Sequence, residues 1–189
     1  MTHIDLSQLS ELKTINKKLM SGYHISEHDT ALFQQLDLAF ESYQALFNAL
    51  GYTLVHDARG YYYLQTDEGT ANMGKISRAF ALTIFVLIEH FANAGKDPLS
   101  ALFDTNIDLA LMMELVQTNK SLFDQLEIFS GSDMRRDVCL RMVRLGIARE
   151  TEDGFKILAP AHRYLDALSE MADFQNQREA NPINEDLPS

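Results

Sequence analysis

Gly51-Tyr52-Thr53-Leu54-Val55-His56-Asp57-Ala58-Arg59-Gly60-Tyr61-Tyr62-Tyr63-Leu64 breaks the helical period of the residues before it. Positions 53–56 read as a strand, 57–60 as a turn with glycine where a left-handed backbone is needed, and 61–64 as an aromatic-rich return strand. The same grammar comes back in Gly146-Ile147-Ala148-Arg149-Glu150-Thr151-Glu152-Asp153-Gly154-Phe155-Lys156-Ile157-Leu158. Both stretches begin at a Leu-Gly helix stop, and both place an aromatic residue just after the turn glycine.

Helical periodicity surrounds both hairpins. Leu6, Leu9, Leu12, Ile15 and Leu19 recur every three or four residues and predict a helix over 6–19. Ser26 followed by Asp29 predicts an N-cap pair. The helix it would open runs to about residue 50 on a stripe of Leu32, Leu36, Ala39, Phe40, Tyr43, Phe47 and Leu50. An apolar helix is predicted over 77–94, a shorter one after Asp97-Pro98, and others over 108–117, 120–129 and 132–145. A closing helix over 161–174 follows the second hairpin.

Helices followed by a β-hairpin, twice over, is the winged-helix plan, a variant of helix-turn-helix. The expected fold class is therefore mainly α with small β wings (α+β), in two tandem winged-helix domains. Their expected limits are 1–70 and 71–174, with a disordered acidic tail over 175–189, which holds few apolar residues. The competing reading is that two unrelated hairpins share turn chemistry.

Composition narrows the function classes. With 189 residues, 46% hydrophobic and 23% charged, the chain has the makeup of an ordinary globular protein. Its single cysteine excludes an internal disulfide and a cysteine-ligated metal cluster. The start Met1-Thr2-His3-Ile4-Asp5 lacks a basic, apolar leader, so no secretory signal is expected. The most apolar run, 79–88, is too short for a membrane span and is followed by Glu89 and His90, so a soluble protein is expected. A net charge of -11 argues against coating nucleic acid or anionic membrane by bulk charge, but permits a local basic patch.

Two motifs imitate enzymes. Gly69-Thr70-Ala71-Asn72-Met73-Gly74-Lys75 fits the first seven positions of a phosphate-binding P-loop. The next position must give magnesium a hydroxyl, and it is Ile76; Ser77 comes one residue late, about 100° away on a helix. We read the segment as a linker in which Gly74 supplies flexibility. His24-Ile25-Ser26-Glu27-His28 spells the H-x-x-E-H of some metallopeptidases. If Ser26 caps the helix, His24 lies outside it and the two imidazoles cannot share a face, and no third ligand is identifiable. Cys139 falls at an apolar helical position and reads as a small buried side chain. There is no Gly-x-Ser-x-Gly elbow, and we expect no catalysis, no cofactor and no metal.

The informative chemistry is a local reversal of charge. Residues 1–69 carry 4 basic and 9 acidic side chains, 70–134 carry 4 and 8, and 135–189 carry 8 and 10. Within the last block, Arg135, Arg136, Arg141, Arg144 and Arg149 precede most of the acids. On a regular helix Arg141 and Arg144 lie about 60° apart, opposite Val138, Met142 and Leu145, with Arg136 flanking them and Arg135 turned to the apolar side. Arg149 and Lys156 extend the patch onto the second wing. Arginine suits phosphate because its planar fork makes paired, charge-assisted hydrogen bonds. The competing reading is a solvated helix face or ion pairs with the acidic tail. No amide or aromatic side chains interleave with the arginines, so binding without sequence preference is the expected form.

With these features in view, the stretch 40–64, with its Gly51-Tyr52 stop and its wing Arg59-Gly60-Tyr61-Tyr62-Tyr63-Leu64, resembles MukE and its relatives the MksE subunits. These are the tandem winged-helix (KITE-type) partners of bacterial condensin complexes. The similarity continues through the apolar helix at 80–91 and through Arg136, Arg141, Arg144, Leu145 and Gly146 into the second wing. Shorter length favours the MksE branch. The resemblance implies a non-enzymatic subunit that forms a homodimer and binds a kleisin (MksF/MukF-like). The kleisin would link it to an SMC ATPase (MksB/MukB-like) acting in chromosome segregation or plasmid restriction. It implies a cytoplasmic, nucleoid-associated protein with no membrane partner. It also places a surface for weak, nonspecific contact with double-stranded DNA at Arg136, Arg141 and Arg144. The alternative for the same fold is a free-standing winged-helix transcription regulator.

Overall fold

The computed structural model describes residues 6–65 and 71–180. A 3-10 turn at Leu6–Gln8 leads into α1 (Leu12–Met20), which buries Ile15 and Leu19. Then come β1 (Ile25–Ser26), α2 (Thr30–Leu38), α3 (Phe40–Ala49), β2 (Thr53–Asp57) and β3 (Tyr61–Gln65). The second half holds α4 (Ala71–Asn93), α5 (Pro98–Asp104), β4 (Ile107–Asp108), α6 (Leu109–Thr118) and α7 (Lys120–Asp124). Next, α8 (Gly131–Met134), a π-helical turn (Arg135–Cys139) and α9 (Leu140–Arg144) run end to end as one rod. β5 (Ala148–Glu150), β6 (Gly154–Ile157), a 3-10 turn at Ala159–Ala161 and α10 (His162–Ala180) complete the chain.

The class is mainly α with small antiparallel sheets, and both hairpins stand where the change of period puts them. Gly60 takes a φ of 86° in the first turn, and Tyr61 pairs with Asp57 across it. Each sheet also has a third strand. The orders are β1-β3-β2 and β4-β6-β5, so in both the return strand is central. Two-residue strands carry no periodic signal, which is why β1 and β4 are not legible as strands.

β1 overturns the expected cap at Ser26. Ile25 and Ser26 are buried opposite Tyr62 and Tyr61, and the helix starts only at Thr30. The single helix expected to reach residue 50 is also two, broken where Ala39 takes φ -126° and ψ 30°. Seven residues on a straight helix are about 10.5 Å apart along its axis. The break instead lets Phe33 and Phe40 both face Tyr62, with ring centroids 5.3 and 5.8 Å away.

Buried apolar side chains form two clusters. One gathers Leu9 through Tyr62, with Tyr43 and Phe47 at its centre; the other gathers Ala79 through Ala161 around α4 and the α8–α9 rod. Cys139 lies in the second cluster, 3% exposed, where burial pushes its thiol up to about 12.

The remaining departures lie at element ends. α4 begins six residues earlier than expected, so Ala71 to Lys75 are helix, not the flexible linker or a P-loop, and Lys75 pairs with Glu127 at 2.6 Å. Gly69 and Thr70 fall outside the described residues. The stretch Gly74–Asn93 is long and apolar enough to cross a membrane by length and composition, which corrects the shorter estimate from sequence. Phe80, Ile84, Leu87 and Phe91 of that helix are buried in the second cluster. α10 extends to Ala180, so 175–180 are helical where disorder was expected, while 181–189 lie outside the described residues. Gln, Arg, Glu and Ala are good helix formers and continue a helix already nucleated by its packed first turns.

Candidate nucleic-acid interface

The α8–α9 rod starts with a reciprocal cap. Ser130 Oγ accepts from the Asp133 amide at 3.1 Å, while the Asp133 carboxylate accepts from Ser130 Oγ at 2.8 Å and from the Phe129 amide at 3.3 Å. These bonds and the neighbouring Arg136 hold the Asp133 carboxyl below its usual range. Met134, Val138, Cys139 and Met142 face the core. The π turn inserts an extra residue into the middle of this face, so the regular 100° step does not carry from Arg136 through to Arg141.

Of the arginines on the rod, three meet acids. Arg136 forks onto Asp137, with Nη2 at 2.6 Å and Nε at 3.2 Å, and also reaches Asp133 at 2.9 Å. Arg141 lies 3.8 Å from the same Asp137, whose carboxyl the Arg136 hydrogen bonds hold low. Arg135 turns to the apolar side, its guanidinium 5.0 Å from the Phe155 ring centroid and 3.3 Å from Glu150.

Arg144, Arg149 and Lys156 differ from these three. None has a hydrogen bond or ion pair among the described residues, and Arg144 and Arg149 are exposed. Arg149 and Lys156 occupy directly opposed positions of the β5–β6 ladder, so both point to the same, outer face of the sheet. Like charges opposed in this way repel, at a cost of a few tenths of a kcal/mol. A bound phosphate would remove that cost. The six-residue cluster read from sequence thus divides into a neutralised part at the start of the rod and an uncompensated part at its end and on the wing.

Beside this face the two hydrophobic clusters meet in a polar junction that sequence reasoning missed. His24 is 5% exposed, and both its ring nitrogens are engaged. Nδ1 donates to the Leu145 carbonyl at 3.0 Å, and Nε2 accepts from Arg163 Nη1 at 2.7 Å. Burial and the adjacent Arg163 charge push its pKa down to about 4, against the opposing effect of the Leu145 bond. The Arg163 guanidinium also lies 4.0 Å above the Tyr63 ring, and Arg59 clamps Asp166 with bonds of 2.6 and 2.9 Å. His24 is therefore no metal ligand paired with His28. Among the described residues no three His, Cys, Asp or Glu side chains converge as a metal site would require.

A family model for the condensin complex protein MksE matches residues 10–169, spanning both hairpins, the rod and the junction. The chain belongs to the MksE family. Comparison with curated protein sequences gave no significant match. As an MksE-family chain it is a condensin complex protein.

Proposed function

We propose that this chain is the non-catalytic, kleisin-binding subunit of an MksBEF-like condensin. In this reading it acts as a homodimer of two-domain protomers, divided near residue 70. The kleisin connects it to the SMC ATPase, and the assembly works in the cytoplasm at the nucleoid. Arg144 at the end of the rod and the sheet face with Arg149 and Lys156 contact the DNA backbone without reading sequence, with Arg141 and Arg136 as secondary contacts already shared with Asp137 and Asp133. The observation that carries the DNA contact is the opposed Arg149 and Lys156 pair without a counter-ion among the described residues. Family membership supports the complex.

Capture of the tagged chain from its native host, followed by identification of the co-purifying proteins, tests the assembly. Recovery of a kleisin and an SMC-like ATPase is the expected result. Their absence, together with nanomolar binding to one operator sequence, would favour a free-standing regulator, for which each wrong base pair costs about 1–3 kcal/mol.

A further inference from the structure

We infer that the cleft at the junction of the two clusters binds a small organic anion with an apolar body. The cleft has a volume of about 730 Å3, in the range of sites that enclose small ligands. Tyr52, Leu64 and Leu19 line it from one cluster's side, and Ile76, Leu145 and Tyr164 from the other's. Among the described residues its lining holds two arginines, Arg78 and Arg163, and the buried His24, but no Asp or Glu. That is a marked local exception in a chain with 27 acids and 16 bases.

Both arginines make neutral contacts. Arg78 donates from Nε to the Gly74 carbonyl at 3.2 Å, and Arg163 donates to His24 and lies over Tyr63. Neither meets a carboxylate among the described residues. A guanidinium has five N–H donors, so both retain donors for an oxyanion. The apolar walls would add little to the binding of a bare inorganic anion, and the guanidiniums little to that of a neutral hydrocarbon. A ligand with both parts, an aromatic or aliphatic body bearing a carboxylate, sulfonate or phosphate, uses the whole lining. Because the walls come from both clusters, such a ligand would hold them together. This site is separate from the Arg149 and Lys156 face and does not depend on the condensin reading.

The probe is 8-anilinonaphthalene-1-sulfonate, compared with its uncharged analogue N-phenyl-1-naphthylamine, titrated by fluorescence into the full chain. We expect saturable one-site binding of the sulfonate, with the uncharged dye weaker by about tenfold, the worth of one charge-assisted hydrogen bond. Arg78→Gln should weaken the sulfonate by a similar factor, and Ala81→Phe, which fills the cleft from α4, should abolish it. Removing the wing charges with Arg149→Gln and Lys156→Gln should leave it unchanged. Equal affinity for both dyes, binding that never saturates, or sulfonate binding that survives both Arg78→Gln and Ala81→Phe would overturn the inference. Loss of binding in the wing variant would place the dye on the sheet face and overturn it equally. Circular dichroism of each variant checks the fold, and the two cleft variants act by different means, so misfolding of one leaves the other decisive.

Discussion

Arg163 donates a hydrogen bond to Nε2 of His24 across 139 positions of sequence. Because that nitrogen accepts, and Nδ1 donates to the Leu145 carbonyl, the imidazole is held as one neutral tautomer between the two clusters. The rings of Tyr61 and Tyr63 lie 6.2 and 5.7 Å from it, and Arg163 is the charged group that faces it.

This arrangement makes stability depend on pH. His24 titrates near 6.5 when unfolded and at about 4 when folded, so between these values the unfolded chain binds more protons. The contribution is complete above pH 6.5 and is lost as pH falls toward 4; about 2 kcal/mol of it should be gone by pH 5. Urea midpoints at pH 7.5 and 5.0 should fall accordingly in the natural chain and fall less in His24→Phe. Equal falls in both would remove His24 as the cause.

Gly146 and Gly51 end equivalent helices with φ of 70° and 84°, yet they should respond differently to alanine. A Cβ on Gly51 meets nothing within 4 Å, so the cost is the left-handed backbone alone, about 1–2 kcal/mol. A Cβ on Gly146 would stand 2.3 Å from the His24 carbonyl oxygen and 2.9 Å from Tyr23 Cζ. Gly146→Ala should therefore cost more than about 3 kcal/mol. Chemical denaturation of the two variants side by side measures the difference.

Charge reversal at Arg149 and Lys156 should weaken retention of a random-sequence duplex by the assembled complex. It should also reduce the slope of log affinity against log salt by about 2. Arg136→Ala should have a smaller effect, since Asp133 and Asp137 already occupy that guanidinium. Fluorescence anisotropy over a salt series reads both. Unchanged binding in the double reversal would take the wing out of the interface.

The Arg59 to Asp166 clamp is bidentate but exposed to solvent, at 35% and 52% of the two side chains. A double-mutant cycle with Arg59→Ala and Asp166→Ala should give a coupling of about 0.5–1 kcal/mol that shrinks at high salt. A coupling well above that, or one indifferent to salt, would mean that the first wing is held to α10 more tightly than its exposure implies.

Much of this architecture is legible in local patterning. The hairpins follow from strand alternation and, in the first, from the turn glycine at 60; Gly154, expected to turn the second, is instead the first residue of β6, paired with Asp108, and has no left-handed backbone. The core faces of α1, α4 and the rod follow from the recurrence of apolar residues. The two-residue strands β1 and β4, the break at Ala39 and the π turn over 135–139 are not legible. Each is imposed by contacts with distant residues, such as Tyr62 for β1, and leaves no periodic trace in its own segment.

The candidate interface divides along the same line. Local sequence alone determined that a basic cluster exists between 135 and 156, because charge is a property of composition. Which of those cations are free was decided by tertiary structure. Asp133 and Asp137 lie within helical reach of Arg136, whereas strand pairing sets Arg149 against Lys156 with no acid between them. The junction of His24, Arg163, Arg59 and Asp166 belongs wholly to the tertiary level. Its partners are over a hundred residues apart, and only the meeting of the two clusters brings them within hydrogen-bond distance.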